Sequence, residues 1–172
     1  MVRALYVGRF QPFHKGHLEA VKSILSECGE VVVAIGSSQR SHEPDNLFTA
    51  GERVEMAYES LKEAGLADRC LIVCVPDINY NALWVRHVSV LSPRFDVVYS
   101  NNSLVSTLFR EAGAKVKQLK AARRKEFDGT HVRGLMLRGG EWEKLLPPAA
   151  ARVALKAKAA SRLREVVKGD KI

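Results

Sequence analysis

The chain has 172 residues, of which 47% are hydrophobic and 27% are charged, which is the composition of an ordinary globular protein. The length fits one domain over residues 1–172, and the composition excludes disorder, collagen and coiled coil as the main architecture. Lys and Arg outnumber Asp and Glu by 27 to 19, and the net charge of +8 favours a polyanionic ligand, either a nucleotide or a nucleic acid.

Short apolar runs alternate along the chain with segments of helical periodicity. Because continuous apolar strands separated by helices have both faces covered, this rhythm predicts an α/β fold with a doubly wound parallel sheet of about five strands. The sheet is expected within residues 1–140, followed by a C-terminal helical segment over residues 141–172. The four clearest strand candidates and a weaker fifth are Ala4 to Val7, Val31 to Ile35, Leu71 to Val75, Val97 to Tyr99, and Lys115 to Leu119.

Three helices carry recognisable signals. Apolar residues at helical spacing predict that one face of the first helix packs on the sheet: Leu18, Val21, Leu25 and Cys28. Thr49, followed three residues later by Glu52, is a capping box that predicts the start of the second. After Pro147 and Pro148, the segment from Ala149 to Lys168 predicts one basic C-terminal helix. No apolar run approaches the ~20 residues that span a bilayer, so we expect a cytoplasmic protein with no membrane partner.

The segment from Gly8 to His17, GRFQPFHKGH, lies between the first predicted strand and the first predicted helix. Ligands of doubly wound sheets bind beyond the carboxyl ends of the strands, which is where this loop is expected. Gly8 and Gly16 let the backbone approach a phosphate closely, and the helix that follows offers free N–H groups and a positive dipole end. The segment therefore predicts an anion-binding site.

His14 and His17 are three residues apart, so they point the same way if the helix begins near His14. Imidazole can donate hydrogen bonds to phosphate oxygens, and Arg9 and Lys15 add positive charge. These groups suit phosphoryl or nucleotidyl transfer, where positioning and charge neutralisation supply most of the catalysis. A structural histidine pair and half of a metal site are the alternatives, although no other histidine completes a zinc-site spacing.

The same ten residues resemble the H-x-G-H signature of a nucleotidyltransferase superfamily, and the whole string is similar to the nicotinamide mononucleotide (NMN) adenylyltransferases of archaeal type. The resemblance implies a Rossmann-like fold and transfer of AMP from ATP to NMN, which gives NAD and pyrophosphate. It also implies Mg²⁺ carried mainly by the ATP phosphates, no metal ligands in the protein, no nucleic-acid partner, and a homo-oligomer, commonly a hexamer. It places Phe10 at the NMN. It places six residues at the ATP: Arg9, His14, His17, Gly8, Lys15 and Gly16. Arg9, His14 and His17 are also implied to be catalytic.

A second stretch, Phe127 to Arg133, is similar to the family's I-S-x-T-x-x-R element. The resemblance implies that Gly129, Thr130 and Arg133 bind the ATP phosphates, with Arg133 also catalytic. From the residues alone, Thr130 is expected to cap a helix that runs to Leu137, and Arg133 could equally be a solvated helix arginine. Asp128 stands where the family has serine, and no phosphate-binding role is assigned to this carboxylate.

A third stretch, Asn79 to Val85, contains Asn81 to Trp84, which is similar to an N-A-L-W string of the archaeal type. The resemblance implies that Trp84 stacks on the nicotinamide ring and that Asn81 helps to hold the mononucleotide. Indole offers an electron-rich face to a cationic ring, a contact worth about 0.5 to 2 kcal/mol. On spacing alone, Trp84 is equally a core residue.

Three further segments resemble family features less closely. The loop ending in Thr49 to Arg53 matches a T-x-x-E-R element near the substrate phosphates, but relatives often carry a basic residue where Asp45 and Asn46 stand. Arg40 and His42 are the candidate substitutes, and Arg40 is placed at the NMN. Asn101 is placed at the ATP, with a plain turn of left-handed backbone as the alternative for Asn101 and Asn102. A phosphate contact and a solvated face remain alternatives for the stretch from Arg123 to Lys125.

The preferred function is therefore adenylyl transfer to NMN, by direct in-line attack without a covalent enzyme intermediate. One rival is transfer to another phosphate acceptor, such as flavin mononucleotide or phosphopantetheine. A nucleic-acid-binding module is the second rival, suggested by the basic stretches Lys115 to Lys125 and Arg152 to Lys171. That second interpretation leaves the histidine pair unexplained.

Overall fold

The computed structural model describes residues 1–119 and 127–169. Five strands and seven α-helices alternate along these residues, with short 3₁₀ helices at Ala67–Arg69 and Trp142–Leu145. In chain order the elements are β1 (Arg3–Gly8), α1 (Lys15–Glu27), β2 (Glu30–Ile35), α2 (Ala50–Glu63), β3 (Cys70–Cys74), α3 (Asn81–Leu91), β4 (Val97–Tyr99), α4 (Ser103–Glu111), β5 (Val116–Lys117), α5 (Gly129–Arg138), α6 (Pro148–Lys156) and α7 (Ala159–Gly169).

The strands form one parallel sheet in the order β3-β2-β1-β4-β5, with β1 at the centre. Gly8 pairs with Ile35 on one side of β1, and Tyr6 pairs with Tyr99 on the other. The chain thus winds outward from β1 in both directions, which confirms the predicted doubly wound α/β fold. This arrangement opens a crevice beyond the carboxyl ends of β1 and β4, where the winding reverses.

Both faces of the sheet are buried, as continuous apolar strands require. In β2, Val31, Val33 and Ile35 pack with α1, α2 and the C-terminal helices. Val32 and Ala34 point to the opposite face and pack among residues that include Val88 of α3 and Phe109 of α4. The predicted inner face of α1 is confirmed, since Val21, Ile24 and Leu25 are buried there. Because helices cover both faces of the sheet, the loops at the strand ends are the part of the chain available to form a site.

The C-terminal segment differs from its prediction. Instead of one helix there are two, because Lys158 adopts a left-handed backbone with φ of 51° and interrupts the helical path. Helix α6 packs on α2, and α7 packs on α5. Arg162 of α7 binds both carboxylate oxygens of Glu52 at 2.8 Å, so the C-terminal helices hold the helix that the Thr49 capping box begins. Across residues 1–119 and 127–169, we find no helix with the length and apolar character needed to cross a membrane.

Candidate active site

The N-termini of α1 and α5 lie side by side at the crevice. A Cβ atom on Gly16 would lie only 2.7 Å from the Cβ of Phe127, and one on Gly129 only 3.1 Å from the carbonyl oxygen of Gln11. A side chain at Gly16 would force the two helix ends apart, and one at Gly129 would crowd the Gln11 carbonyl, so glycine at both positions favours this close approach. Each end contributes free backbone N–H groups and the positive end of a helix dipole, which together favour an anion.

His14 and His17 cap α1 in a reciprocal arrangement. The Nδ1 atom of His14 accepts from the backbone N–H of His17, and the Nδ1 atom of His17 accepts from the N–H of His14. The two rings stack with centroids 3.5 Å apart. Because each Nδ1 accepts a hydrogen bond, each neutral ring carries its proton on Nε2. The capping box therefore fixes the tautomer and leaves two Nε2–H donors for a ligand.

Both imidazoles are neutral at pH 7. Burial lowers the pKa of His14 to about 4, against a smaller opposite effect of the Asp128 carboxylate. Burial, and then the neighbouring His14, lower the pKa of His17 well below its usual 6.5. The histidines are thus hydrogen-bond donors rather than cations. Positive charge at this end of the crevice comes from the exposed Arg9 and Lys15.

Arg133 lies in α5 with its side chain buried against the loop that follows β1. Its guanidinium donates to the carbonyl oxygen of Gln11 and to the Asp45 carboxylate, both at 2.8 Å. The side chain of Arg133 is only 6% exposed, whereas that of Asp45 is 73% exposed. The interpretation of Arg133 as a solvated helix arginine is therefore wrong. Burial lowers the pKa of Arg133, and the Asp45 carboxylate opposes that shift.

The cap of α5 corrects another prediction. The helix begins at Gly129 and ends at Arg138, and its N-cap is Asp128 rather than Thr130. The Asp128 carboxylate accepts from the backbone N–H of Thr130, while the Thr130 hydroxyl lies 3.4 Å from the Arg133 guanidinium. Both residue types favour the N-cap, and the carboxylate two positions earlier gains more at a positive helix end. The departure from the family's serine thus has a structural role.

A cavity of about 450 Å³ adjoins this crevice between the ends of β1 and β2 and helices α3 and α4. Trp84 and Asn81, predicted to hold the mononucleotide, both line it, as do Gly8 and Arg9. The Trp84 indole also packs edge-on against Phe109, with ring centroids 5.7 Å apart. Trp84 therefore serves as a core residue on one side and as a cavity wall on the other.

Sequence reasoning assigned no ligand contact to several residues that line the cavity, among them Asp77, Asn79, Ser37 and Asn102. Asp77 follows β3 almost directly, and that position at a carboxyl strand end was the available signal. Asn102 caps α4 by accepting from Val105 N–H, and its φ of −82° shows that the predicted left-handed turn is wrong.

Three predicted ligand contacts have other partners here. The Phe10 ring is buried and packs against His17, with ring centroids 4.7 Å apart, so it supports the histidine instead of lining the cavity. Arg40 forms an ion pair with Glu43. The Asn101 amide makes two hydrogen bonds to the backbone of Leu119. Roles for these three at a ligand stay predictions, and Arg123 to Lys125 lie outside the described residues.

Two buried polar side chains tie the loops of the site together, and sequence reasoning gave neither this role. The Gln11 amide donates to the carbonyl of Phe48 and accepts from its N–H, at 3.0 and 2.8 Å. Arg53, the last residue of the T-x-x-E-R match that ends the loop near the substrate phosphates, is fully buried among backbone carbonyls. The loops after β1 and β2 are thereby fixed relative to each other.

The described residues provide no cluster of three or more His, Cys, Asp or Glu side chains that could hold a metal ion.

A doubly wound sheet whose first βα loop places H-x-G-H at a helix N-terminus is typical of the Rossmann-like nucleotidyltransferases, and residues 5–135 match the cytidylyltransferase-like family model. The chain is 46% identical over 171 residues to a nicotinamide-nucleotide adenylyltransferase of Methanolobus tindarius, covering 99% of this chain and 98% of that protein. It belongs to this family of nicotinamide-nucleotide adenylyltransferases, which confirms the resemblance seen in the sequence.

Solved structures share the fold. A bifunctional NMN adenylyltransferase/ADP ribose pyrophosphatase from Francisella tularensis superposes with a TM-score of 0.83 at 20% identity, covering 98% of this chain and 53% of that one. The same protein complexed with AMP and a manganese ion gives a TM-score of 0.79 at 21% identity over 97% of this chain and 52% of that one.

Proposed function

We propose that this protein transfers AMP from ATP to nicotinamide mononucleotide, forming NAD and pyrophosphate by direct in-line attack. The observation that carries the proposal is the pair of Nε2–H donors at the N-terminus of α1, next to a cavity walled by Trp84. One part of the site suits a chain of phosphates, and the adjoining part suits a flat cationic ring. The family relationship supports the same reaction.

The ATP phosphates bind at the paired N-termini of α1 and α5. The Nε2–H groups of His14 and His17 donate to phosphate oxygens, with His17 closest to the charge that develops in the transition state. Arg9, Lys15 and Arg133 neutralise the departing pyrophosphate. Gly16 and Gly129 keep the two helix ends close to the phosphates, and Gly8 at the end of β1 leaves room for the Phe10 ring, which a Cβ atom there would approach to 2.9 Å.

The mononucleotide binds in the cavity against Trp84 and Asn81. Asp77 lines the same cavity, and a carboxylate there favours the cationic pyridinium and disfavours a second carboxylate on the ring. The protein should therefore prefer the amide form of the mononucleotide to the acid form, nicotinic acid mononucleotide.

In the chemical step, an oxygen of the mononucleotide phosphate attacks the α-phosphorus of ATP while the bond to the bridging oxygen of the β-phosphate breaks. The electron pair leaves with pyrophosphate, so no protein nucleophile takes part. Catalysis comes from alignment of the two phosphates and from fixed donors around the transferred group. A divalent ion, Mg²⁺ by preference, arrives on the ATP phosphates and supplies further charge neutralisation.

The experiment offers Mg-ATP together with each of four acceptors: NMN, nicotinic acid mononucleotide, flavin mononucleotide and phosphopantetheine. The dinucleotide product is identified by mass spectrometry, and pyrophosphate release is measured in parallel. NAD is the expected main product. A different dinucleotide, or salt-sensitive binding of DNA or RNA without any turnover, would overturn the proposal. Light scattering on the same sample tests the expected homo-oligomer.

A further inference from the structure

Arg53 is a fully buried cation whose hydrogen-bond partners, among the residues that the structure describes, are all backbone carbonyls. It extends from the first turn of α2, and its guanidinium donates to the carbonyl oxygens of Gly36 at 2.8 Å and Arg9 at 3.0 Å. Further acceptors lie in the loop after β2 and at the start of α2, namely the carbonyls of Ser37, Ser38, Arg40 and Thr49. One side chain thus holds the loops after both β1 and β2.

Within residues 1–119 and 127–169, no carboxylate forms an ion pair with Arg53. Burial lowers the pKa of this guanidinium, which shows how strongly its charge is removed from water. A buried charge is costly unless dipoles surround it, and here the carbonyl groups supply them. The loop peptides therefore cannot turn their carbonyl groups away without leaving the buried guanidinium charge without hydrogen bonds.

The direction of each carbonyl fixes the direction of the N–H on the same peptide. In a trans peptide the C=O and N–H groups point opposite ways, so the N–H groups of Phe10 and Ser37 point away from the guanidinium. Phe10 and Ser37 have φ of 51° and 47°, in the left-handed region that side chains other than glycine rarely adopt. Such backbone persists only where the surroundings hold it in place.

Arg9, Gly36 and Ser37 line the cavity, and the buried Phe10 follows Arg9 directly in the chain. The N–H groups of Phe10 and Ser37 have no acceptor among the described residues. An unpaired backbone N–H at the cavity wall, as at Ser37, is suited to an oxygen atom of an anion, and the N–H of Phe10 lies one residue beyond the lining residue Arg9.

We propose that Arg53 is a positioning residue, which turns the Arg9–Phe10 and Gly36–Ser37 peptides so that their N–H groups bind a phosphate of the nucleotide substrates. The inference rests on the proposed function for the identity of the ligand. It also accounts for the loop after β2, where Asp45 and Asn46 replace a basic residue, because backbone N–H groups then take over part of the phosphate binding.

The test compares R53K and R53M with a matched control, R69M. Arg69 also binds three backbone carbonyls at 2.8 Å, those of Leu25, Cys28 and Gly29, but at the C-terminal end of α1, away from the cavity. Loss of peptide alignment should lower kcat/KM for NMN by ~10² in R53K and R53M. R69M should stay within about twofold of wild type, even if urea unfolding shows that it loses stability. R53K with wild-type kcat and KM would overturn the inference.

A second readout does not depend on turnover or on a folded variant. Amide signals of Ser37 and Phe10 in the ¹⁵N-labelled wild-type protein are followed while NMN, and separately inorganic pyrophosphate, is added. We expect the two amide protons to shift downfield when at least one of the two ligands, NMN or inorganic pyrophosphate, is added. Unchanged signals under saturating ligand would refute the inference even if NAD forms. Shifted signals without NAD formation would refute the proposed reaction alone.

Discussion

The N-termini of α1 and α5 border the same crevice, but a neutral side chain caps one and a carboxylate caps the other. Helix α1 is capped by the neutral ring of His14 and has no acidic residue in its first turn. Helix α5 is capped by the carboxylate of Asp128, and its buried Arg133 is paired with a second carboxylate, Asp45. The dipole of α1 is therefore free to bind an anion, whereas the positive charge at α5 is already partly matched by the protein.

The difference teaches that the two ends contribute differently to phosphate binding. A ligand gains the full attraction of α1 and its two Nε2–H donors, but at α5 it must share Arg133 with Asp45 or displace that carboxylate. Substitutions at α1 should therefore reduce turnover most, and substitutions at the α5 pair should act mainly on ATP affinity.

The largest effect is expected for H17A. Removing one donor to the developing charge should lower kcat by ~10² or more, as loss of a single transition-state donor does in other enzymes. H17N is the matched variant, because its amide can still accept from the His14 N–H and donate to a phosphate. It should recover part of the lost turnover. Steady-state kinetics and circular dichroism check both, and a loss below about threefold in H17A would contradict the role.

Loss of Arg133 should rank second. R133A removes a guanidinium whose charge-assisted hydrogen bonds to the ATP phosphates should be worth about 2 kcal/mol, so KM for ATP should rise by ~30-fold. The expected effect on KM for NMN is smaller, because Arg133 lies at the α5 end. If instead both KM values were unchanged and only stability fell, Arg133 would be a structural residue.

A small gain is expected when the carboxylate that shares Arg133 is neutralised. D45N removes the internal competitor for the ATP phosphates, so KM for ATP should fall by about threefold, a modest change because the carboxylate is largely exposed. E43Q is the control, since Glu43 lies in the same loop and pairs with Arg40 instead. Identical shifts in both variants would show that only net charge matters, not the contact with Arg133.

The sequence was sufficient where the signals are local. The apolar run of β2, the Thr49–Glu52 capping box and the contiguous H-x-G-H string each depend on neighbours within a few residues, and each was confirmed in the fold. Trp84 was placed at the cavity by the same kind of contiguous match.

The parts that sequence could not supply depend on distant partners or on single backbone angles. The sequence identifies Arg53 only as the end of the T-x-x-E-R match, because the carbonyls of Arg9 and Gly36 that bind it are brought to it by the fold. The interruption at Lys158 and the inward turn of Phe10 both follow from left-handed backbone at residues that seldom adopt it. Asp128 and Thr130 are both good N-caps, so only the geometry decides between them.

The smallest effect is expected from pH, and it separates a neutral histidine pair from a cationic one. The pKa of His14 is about 4 and that of His17 is lowered well below 6.5, so neither ring changes charge above pH 6. Turnover should therefore vary by less than about threefold between pH 6.5 and 8, whereas a catalytic imidazolium would lose activity about tenfold per unit above its pKa. The free energy of unfolding, by contrast, should depend on pH, because protonation of Nδ1 breaks the capping box.

The sign of that stability change follows from the lowered pKa. An unfolded histidine binds its proton near pH 6.5, while folded His14 resists it until about pH 4, so the unfolded state gains protons first. The free energy of unfolding should fall as the pH drops from 6.5 towards 4, and H14N, which keeps an acceptor but cannot titrate, should show a shallower decline in urea titrations. An equal slope in H14N would mean that other groups cause the acid sensitivity, and that the α1 cap is not held by neutral imidazole.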